Sequence, residues 1–465
     1  MIKKITLCVS IVALCSCTLI QPTDPYRPVK KPLATVSAQS IEIPAAGLPE
    51  APLDLRQAIA IALANNPDVG ATSWEVAAAR YRQDQVMADR LPRLSAVGVY
   101  THHLDPQRLI PAHEPNDPAI YSEDIVSGDL VFSMPLFTAG RLINQVKAAE
   151  LLQMAAGHRL GRSRTELVFN VSSVFFNTLA QRYVVESLDF SRRALKEHLR
   201  LVEALVAAQK AARVDLLRTE VRLADIQQRL VREENVMAIQ QRVLANLLGL
   251  EGQADKITLQ GELELEKKEP VPDFEAALAA AYSLRDDYHA ARAALEAQAY
   301  KVDAARAGHW PTVSLQGAYG SRGTGGSTTG AGDESDDVGR VGVTVEIPLF
   351  EGGNVNARIL EQRADLAAAQ ERLRKIELQI RMDIETAMLN VDSSRERIEA
   401  GRKAIEQAQE SLRIEQQKYE LGKGTILDVL DAQSALLNSQ TNYYRALADH
   451  HTALAQLRLA MGEKK

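Results

Sequence analysis

Cysteine is almost absent from this sequence of 465 residues, and its placement excludes a disulfide framework. The three cysteines, Cys8, Cys15 and Cys17, all stand near the N-terminus. Aromatic residues make up only 5% of the chain, whereas alanine and long charged residues are plentiful. This bias favours long exposed helices over one large globular core. The formal net charge of −6 argues against nucleic-acid binding. Because the sequence offers no catalytic or cofactor-binding constellation, we expect a protein that is not an enzyme and binds no cofactor or metal.

The first residues have the features of a bacterial lipoprotein signal. Lys3 and Lys4 precede an apolar run from Ile5 to Leu14, which is too short to span a bilayer as a helix. The run ends in Leu14-Cys15-Ser16-Cys17, which resembles the bacterial lipobox, so we predict a signal peptide over residues 1–16 and acylation of Cys17. An uncleaved signal anchor is the alternative. Residues 17–52 contain repeated prolines, which predict an extended acylated tether.

The rest of the chain contains one pattern twice. The motif Pro-Leu-Phe-x-x-Gly begins at Pro135 and again at Pro348, an offset of 348 − 135 = 213 residues. Upstream, Pro92 recurs as Pro311, an offset of 311 − 92 = 219 residues, so the copies differ by six residues between these points. A period this long indicates a duplicated half-protein. We predict a first repeat over residues 53–250, a linker over 251–271, a second repeat over 272–462 and a C-terminal tail over 463–465.

Each repeat has one very long helical pattern and two shorter ones. The long pattern of the second repeat has a seven-residue apolar spacing with one four-residue insertion, as in a coiled coil with a stutter: Ile359, Leu366, Leu373, Ile380 and Ala387, then Val391, Ile398, Ile405, Leu412 and Tyr419. No proline interrupts residues 354–421 or 141–209, so two helices of about 100 Å are expected. The shorter helices are predicted over residues 54–90, 214–248, 273–307 and 426–461. We predict that each repeat forms one continuous column and one column of two stacked helices, within a larger ring of helices.

A β-hairpin separates the helices at the same place in both repeats, over residues 93–137 and 311–350. Its strands alternate apolar and polar residues over about nine positions, which is typical of transmembrane β-strands. The predicted lipid-facing residues are Leu130, Phe132, Met134, Val343, Val345 and Ile347. Strands in a bilayer must belong to a closed barrel, and four per chain are too few, whereas three chains would supply twelve. Two ordinary soluble hairpins are the alternative.

The segment from Tyr419 to Gln433, YELGKGTILDVLDAQ, resembles a helical tip of the TolC-like outer-membrane efflux proteins. Together with the lipobox, it is similar to the lipoprotein members of that family, and the resemblance covers nearly the whole chain from Asp54 to Gly462. It implies a mainly α fold with a small β part. In such a fold, long coiled-coil helices form a trimeric α-barrel, continuous with a twelve-stranded transmembrane β-barrel to which each chain gives four strands.

The same resemblance implies a function and partners. The chain would be the outer-membrane channel of a tripartite efflux or secretion system, a passive homotrimeric duct. A periplasmic adaptor protein and an inner-membrane transporter would open it by contact. It would be lipid-anchored and membrane-spanning in the outer membrane and would extend into the periplasm. The alternative function, from another class, is a lipid-anchored periplasmic coiled-coil spacer or adhesin without a pore.

The turn of the second repeat is one predicted tip of the duct. Gly422 and Gly424 allow the chain to reverse there, with Thr425 as helix N-cap and Asp428 as its capping partner. By resemblance, Asp428 and Asp431 match acidic residues that ring the periplasmic mouth. Three symmetry-related carboxylates would favour cations there and raise one another's pKa. The alternatives are a plain capping role for Asp428 and a solvated helix face for Asp431.

By position and resemblance, both tips would contact the adaptor, through Arg213, Val214, Asp215, Gly422, Lys423, Gly424 and Thr425. A plain helix cap is the alternative for Asp215. Gly424 stands where the protein that gives the family its name has an arginine associated with holding the mouth closed, so that ion pair is not expected here. The first-repeat counterparts of Gly422 and Gly424 are Gln209 and Ala211. Asp431 likewise has Arg218 as its first-repeat counterpart. These differences predict that the second tip is the gate.

Two predicted loop segments contain residues that can carry other chemistry. His102, His103 and His113 fall in the predicted loop of the first hairpin, where a solvent-exposed loop is favoured over a metal site because no cysteine accompanies them. Residues 323–332 are glycine-rich, but they follow a strand without opening a helix. They are therefore predicted to be the outer loop of the second hairpin and not a phosphate-binding loop.

Overall fold

The computed structural model describes residues 52–109, 121–250, 252–264, 272–324 and 335–463. The predicted signal peptide, Cys17, nearly all of the tether, His113 and most of the glycine-rich segment lie outside these residues. The first repeat contains α1 (Leu55–Asn65), α2 (Pro67–Ala88), β1 (Arg93–Arg108), β2 (Tyr121–Phe137), α3 (Arg141–Ala207) and α4 (Arg213–Leu247). The second contains α5 (Phe274–Leu284), α6 (Asp286–Arg306), β3 (Thr312–Thr324), β4 (Ser335–Glu346), α7 (Asn354–Glu420) and α8 (Ile426–Met461).

The long helices α3 and α7 confirm the predicted length. Each contains 67 residues and is therefore about 100 Å long. The predicted coiled-coil seam of α7 is its inward-facing stripe, since Ile380, Ala387, Val391 and Ile398 are fully buried. Both helices follow the Pro-Leu-Phe-x-x-Gly motif, and their N-cap residues Gly140 and Gly353 have φ values of 82° and 84°. Glycine recurs in the motif because a side chain at this positive φ would be strained.

The helices that enter each hairpin differ from the prediction, because residues 54–90 and 273–307 each form two helices instead of one. In the first repeat, Pro67 fits only in the first turn of a helix, so α2 has to start there. Asn66 caps α2 by accepting hydrogen bonds from the amides of Asp68 and Val69. The second repeat has no proline at this position. There the break occurs at Arg285, whose backbone is extended with ψ 118°.

At each break, a side chain is hydrogen-bonded to the C-terminal end of another helix. The Asn66 side-chain amide donates to the carbonyl oxygen of Leu247, the last residue of α4, at 3.0 Å. The Arg285 guanidinium donates to the carbonyl oxygen of Ala460, near the end of α8, at 3.2 Å. Thus α2 continues the column of α4, and α6 continues that of α8. This confirms the prediction of one continuous and one stacked column per repeat, although the stacked columns exclude α1 and α5.

The helices form a single layer four columns wide. The principal contacts run in the order α2, α3, α6, α7 near the sheet and α4, α3, α8, α7 further from it. Buried apolar residues form three clusters, where α1, α3 and α4 meet, where α5, α7 and α8 meet, and where α3, α4 and α8 meet towards the tips. None of the described helices combines the length and apolar character needed to cross a membrane.

The four strands form one antiparallel sheet in the order β1-β2-β3-β4. The central pair, β2 and β3, joins the two repeats. Phe132 lies opposite Leu94 on one side and Gly317 on the other, and Val345 lies opposite Val313. The two hairpins are therefore parts of one continuous surface.

The strands extend beyond the segments in which apolar and polar residues alternate, because backbone pairing continues where the alternation stops. His102 and His103, which were predicted to lie in a loop, are part of β1. From His102 to Gln107, β1 advances five residues while its partner β2 moves two, from Asp124 to Ser122. The three extra residues (5 − 2) make up half of the six-residue difference between the repeats.

Candidate functional site at the sheet and the helical tips

One face of the sheet is apolar across all four strands. Directly paired residues share a face, so the register places together Leu94, Ala96, Leu130, Phe132, Met134, Leu315, Tyr319, Val341, Val343 and Val345. The opposite face is mainly polar and includes Ser95, Asp129, Ser133, Ser314, Gln316, Arg340, Thr344 and Glu346. Five of the six residues predicted to face lipid are on the apolar face. The sixth, Ile347, follows the last residue of β4 and is exposed.

Aromatic side chains lie at both ends of this apolar face. Far from the helices, the Tyr100 hydroxyl donates to Asp124 Oδ1 at 2.7 Å, and the Tyr319 hydroxyl donates to Asp337 Oδ2 at 3.0 Å. The two bonds occupy equivalent positions in the repeats. Next to the helices, Trp310 and Phe350 are 63% and 90% exposed. Exposed aromatic rings at both limits of an apolar band are typical of barrel strands at membrane interfaces.

The two tips share one backbone conformation although their residues differ. Gly422 has φ 68°, and its first-repeat counterpart Gln209 has φ 61°. The next amide closes the same turn in both, since Lys423 donates to the Lys418 carbonyl and Lys210 to the Leu205 carbonyl, each at 2.8 Å. The difference in glycine content therefore does not produce a different tip, and the second tip cannot be singled out as the gate on this ground.

Replacing Gln209 with glycine should stabilise the first tip by about 1 kcal/mol, because the left-handed conformation is unfavourable for a residue with a side chain. Slower hydrogen exchange of the amides over residues 205–212 would show this. Gly422→Ala should have the opposite effect at the second tip. Ala211→Gly serves as the control, since Ala211 is not in the left-handed region. Unchanged exchange in Gln209→Gly would contradict the prediction.

Asp428 is held by the N-cap of α8. The Thr425 hydroxyl and amide donate to Asp428 Oδ2 at 2.7 and 3.0 Å, and the Asp428 amide donates back to Thr425 Oγ1 at 3.3 Å. The bonds from Thr425, with a smaller effect of the Lys418 charge, lower the pKa of the Asp428 carboxyl. The capping role that sequence left as an alternative is therefore present. Within one chain, the pKa of Asp428 is therefore lowered, whereas three neighbouring carboxylates in a trimer were expected to raise it.

Asp431 lies three residues further along α8, on the neighbouring turn of the same helix. Its side chain is exposed. In the described part of the chain it makes no hydrogen bond or ion pair. Unlike Asp428, it is therefore not committed to a local structural role.

The first tip lacks a side-chain cap. Ala212 is the N-cap of α4 and makes no capping bond through its side chain. Arg213 and Val214, the first residues of α4, are exposed, and Asp215 occupies the first turn. No capping bond from the Asp215 carboxylate occurs among the described residues, so the capping alternative is not seen for it.

The charge of Asp215 instead acts on the other tip. Burial, and then the negative charge of Asp215, raise the pKa of the Tyr419 hydroxyl at the end of α7. The Tyr419 ring also lies beside His198 of α3, with centroids 5.7 Å apart. Ile426 and Leu430 of α8 are buried in the cluster beneath both tips. The tips thus form one packed unit, which sequence reasoning missed because 204 residues separate Asp215 from Tyr419 (419 − 215).

Charged and small residues line a groove on one face of the helix layer. Between α2, α3 and α6 its volume is about 760 Å³, and an adjoining section of about 650 Å³ lies between α3, α6 and α7. Both sections include Arg159 and Lys301, together with acidic residues and several alanines. Such a surface suits water and passing solutes better than tight binding of one apolar ligand. Within the described ranges, no group of three or more His, Cys, Asp or Glu residues is arranged to hold a metal ion.

The single helical layer, the amphipathic sheet and the paired tips define the class of protein as a subunit of a long-helix membrane channel. A sequence profile of the outer membrane efflux protein family matches residues 58–250 and 277–463. The chain therefore belongs to this family, and the two matched segments coincide with the two repeats. Its function is that of an outer-membrane efflux or secretion channel.

Individual relatives agree with this assignment. The chain is 26% identical over 418 residues to outer membrane protein OprJ of Pseudomonas aeruginosa, covering 88% of the chain and 84% of OprJ. It is 24% identical over 430 residues to outer membrane protein TolC of Escherichia coli, covering 88% and 82%. The solved structure of outer membrane protein VceC of Vibrio cholerae is similar with a TM-score of 0.73, at 21% identity, over 88% of this chain and 96% of that one. These relatives are membrane channel proteins and not enzymes, and the predicted fold class is confirmed.

Proposed function

We propose that the chain is the outer-membrane duct of a tripartite system, a passive homotrimer opened by a periplasmic adaptor and an inner-membrane transporter. The observation that best supports this is that both the sheet and the helical layer have unpaired outer edges. In the described sheet, β1 and β4 are outer strands, and the outer columns of the helical layer are α2 with α4 on one side and α7 on the other. Unpaired strand edges are not tolerated in lipid, so further copies have to pair with them.

Exposed apolar residues on the edge helices support the same assembly. Trp74 and Tyr81 of α2 are more than half exposed, as are Leu360 and Leu389 of α7. Contact between the edges of neighbouring copies would remove these side chains from water. Three copies supply twelve strands, which leave room for a lumen, whereas the eight strands of a dimer would be filled by side chains.

In this proposal the chain has two attachments to the outer membrane. The apolar sheet face contacts lipid through Leu130, Phe132, Met134, Val343, Val345 and Ile347, and acyl chains on Cys17 provide the second attachment. The polar sheet face and the charged groove of the helical layer would line the water-filled path. The helices would extend from the membrane into the periplasm.

The tips are the proposed contact surface for the adaptor. Their exposed backbone turns present Arg213, Val214, Asp215, Gly422, Lys423, Gly424 and Thr425 at the end of the molecule furthest from the sheet. Leu216 and Tyr419 pack against the same buried cluster beneath the two tips, and a partner that separated the tips would change both at once. The energy for transport would come from the inner-membrane transporter.

Mass and conductance measured together test this proposal against the spacer or adhesin alternative. The purified full-length chain should have the mass of a trimer in detergent and should produce steady conductance in planar bilayers. A stable trimer without conductance, or a monomer that binds membranes only through its acyl group, would favour the spacer.

Replacing Asp431 with asparagine should reduce the cation preference of the conducting protein, because the change removes one carboxylate per chain at the proposed periplasmic mouth. The measurement is the reversal potential in a salt gradient. Glu420→Gln removes the same charge from the same end of the molecule, at the last residue of α7, and should have a smaller effect. Equal selectivity of wild type and Asp431→Asn would exclude Asp431 from the selectivity ring. Asp428 is less suited to this test because its substitution also disrupts the helix cap.

A further inference from the structure

The seam between α3 and α6 contains a pair of histidines that the duct does not require. His158 of α3 is hydrogen-bonded through Nδ1 to Asp286 Oδ1 of α6 at 2.9 Å. The ring of His289, also on α6, has its centroid 5.3 Å from that of His158. His289 Nε2 lies 2.9 Å from the carbonyl oxygen of Ser283. Since α3 belongs to the first repeat and α6 to the second, this cluster bridges the two halves of the chain.

The hydrogen-bond partners determine which ring nitrogens are available to a ligand. A carbonyl oxygen only accepts hydrogen bonds, so His289 donates to Ser283 from Nε2 and its Nδ1 retains a lone pair. A carboxylate likewise only accepts, so His158 donates to Asp286 from Nδ1, and Nε2 of the neutral ring has a lone pair. A carboxylate behind an imidazole fixes the ring orientation, as it does for histidines that bind metals.

The distance between the ring centres matches that expected for two imidazoles bound to one metal ion. A metal–nitrogen distance of about 2.0–2.1 Å places each ring centre roughly 3.2 Å from the ion, and tetrahedral geometry then separates the two centres by about 5.2 Å. The observed separation is 5.3 Å. The described residues provide no third side-chain ligand of the His, Cys, Asp or Glu type. Water would therefore complete the coordination.

The surroundings hold the pair in place while leaving it accessible. Asp286 is only 7% exposed, whereas the side chain of His158 is 35% exposed. Gly161 packs directly against the Asp286 carboxylate, and a Cβ at this position would collide with it. The carboxylate that orients His158 is thus fixed by packing, and solvent can still reach the imidazole.

We infer that His158 and His289 form a binding site for one divalent transition-metal ion of the kind that prefers imidazole, such as Cu²⁺, Ni²⁺ or Zn²⁺. The bound ion connects α3 to α6 and so the first repeat to the second. It would resist any movement that separates these two helices. The site does not depend on the proposed trimer or on conduction.

Calorimetric titration of the tag-free, full-length protein with Cu²⁺ tests the site, because Cu²⁺ binds nitrogen ligands most tightly in this series. His289→Ala removes one ligand and leaves the bond between His158 and Asp286 intact, so it should fold normally. Its affinity for Cu²⁺ should fall by at least about tenfold. His158→Gln retains a donor for Asp286 and should cause a similar loss. His102→Ala combined with His103→Ala removes two other imidazoles and should bind like wild type.

Thermal unfolding provides a second measurement, since a ligand that binds only the folded state raises the unfolding temperature. Cu²⁺ should raise it for wild type and for the His102/His103 double variant, but not for His289→Ala. Affinity unchanged in both His289→Ala and His158→Gln would overturn the inference. Loss of binding only in the His102/His103 variant would overturn it as well, by assigning the binding to strand β1.

Discussion

Replacing Arg285 with methionine should lower the free energy of unfolding by about 3 kcal/mol, since it removes one partner of a buried ion-pair network. Arg285 is only 1% exposed and contacts Asp287 at 2.6 Å, Asp383 at 2.9 Å and the Ala460 carbonyl at 3.2 Å. Both aspartates are about one quarter exposed, so water relieves part of their unpaired charge and the loss falls at the low end of the range. Urea unfolding in detergent gives the measurement.

The equivalent position of the first repeat provides a matched control. Asn66 occupies the same place with a neutral amide, so Asn66→Ala should cost only about 2 kcal/mol, about 1 kcal/mol for the helix cap and about 1 kcal/mol for one neutral hydrogen bond. If Arg285→Met and Asn66→Ala lowered stability equally, the charges at the second break would contribute nothing beyond the hydrogen bond.

The effect of Arg285 should depend on pH. Burial alone raises the pKa of the Asp287 carboxyl, but the bonds and charge of Arg285, with the charge of Arg162, lower it overall. A carboxyl with a lowered folded-state pKa stabilises the fold above its unfolded pKa of about 3.9, and this contribution is lost as the pH falls through the folded-state value. The difference between wild type and Arg285→Met should thus be full at neutral pH and shrink below about pH 4. A difference that did not change with pH would contradict this origin.

Arginine at Phe132 or at Val345 should block assembly in the membrane. Both residues are on the apolar sheet face, and an arginine facing the middle of the bilayer costs about 2–4 kcal/mol per chain. A trimer would bear this cost three times. The measurements are the fraction of the protein that resists extraction from membranes and the amount of heat-resistant trimer on gels.

Neighbouring residues on the opposite face provide the controls. Val131 and Thr344 alternate with Phe132 and Val345 along the same strands. Val131→Arg and Thr344→Arg should therefore insert and assemble. Normal insertion and heat-resistant trimers in both Phe132→Arg and Val345→Arg would defeat the duct proposal and favour the spacer.

Much of the fold followed from the duplicated pattern. The absence of proline from residues 141–209 and 354–421, together with the 213-residue offset, was sufficient to predict the lengths of α3 and α7, because these features are local or periodic. The break at Asn66 was missed although Pro67 marks it. No proline marks the break at Arg285, whose cause is a tertiary network involving Asp383, 98 residues away. Comparison of Arg285 with its first-repeat counterpart Asn66, which precedes Pro67, is a signal in the sequence.

The sheet face and the helical tips were less predictable from the sequence than the fold. Alternation along the strands placed Phe132 and Val345 on one face, which the register confirms. At the tips, the glycines suggested a difference between the repeats, yet Gln209 adopts the same left-handed conformation as Gly422. Residue type indicates where the left-handed conformation has a low energetic cost, whereas tertiary packing can impose it at other residues. The effect of the Asp215 charge on Tyr419 depends on packing between repeats, which no local spacing encodes.

Each stacked column contains a joint, which is the helix break at Asn66 in the first repeat and at Arg285 in the second. In each repeat the long helix is an uninterrupted rod, whereas the neighbouring column has a junction where the chain is secured by side chains. Arg285 secures one junction with ionic bonds, and Asn66 secures the other with a single amide bond to Leu247. In the proposed trimer, six rods would alternate with six jointed columns, and stiff joints would alternate with compliant ones. Bending of the tunnel wall would then start at the three Asn66 joints, while the rods keep its height constant.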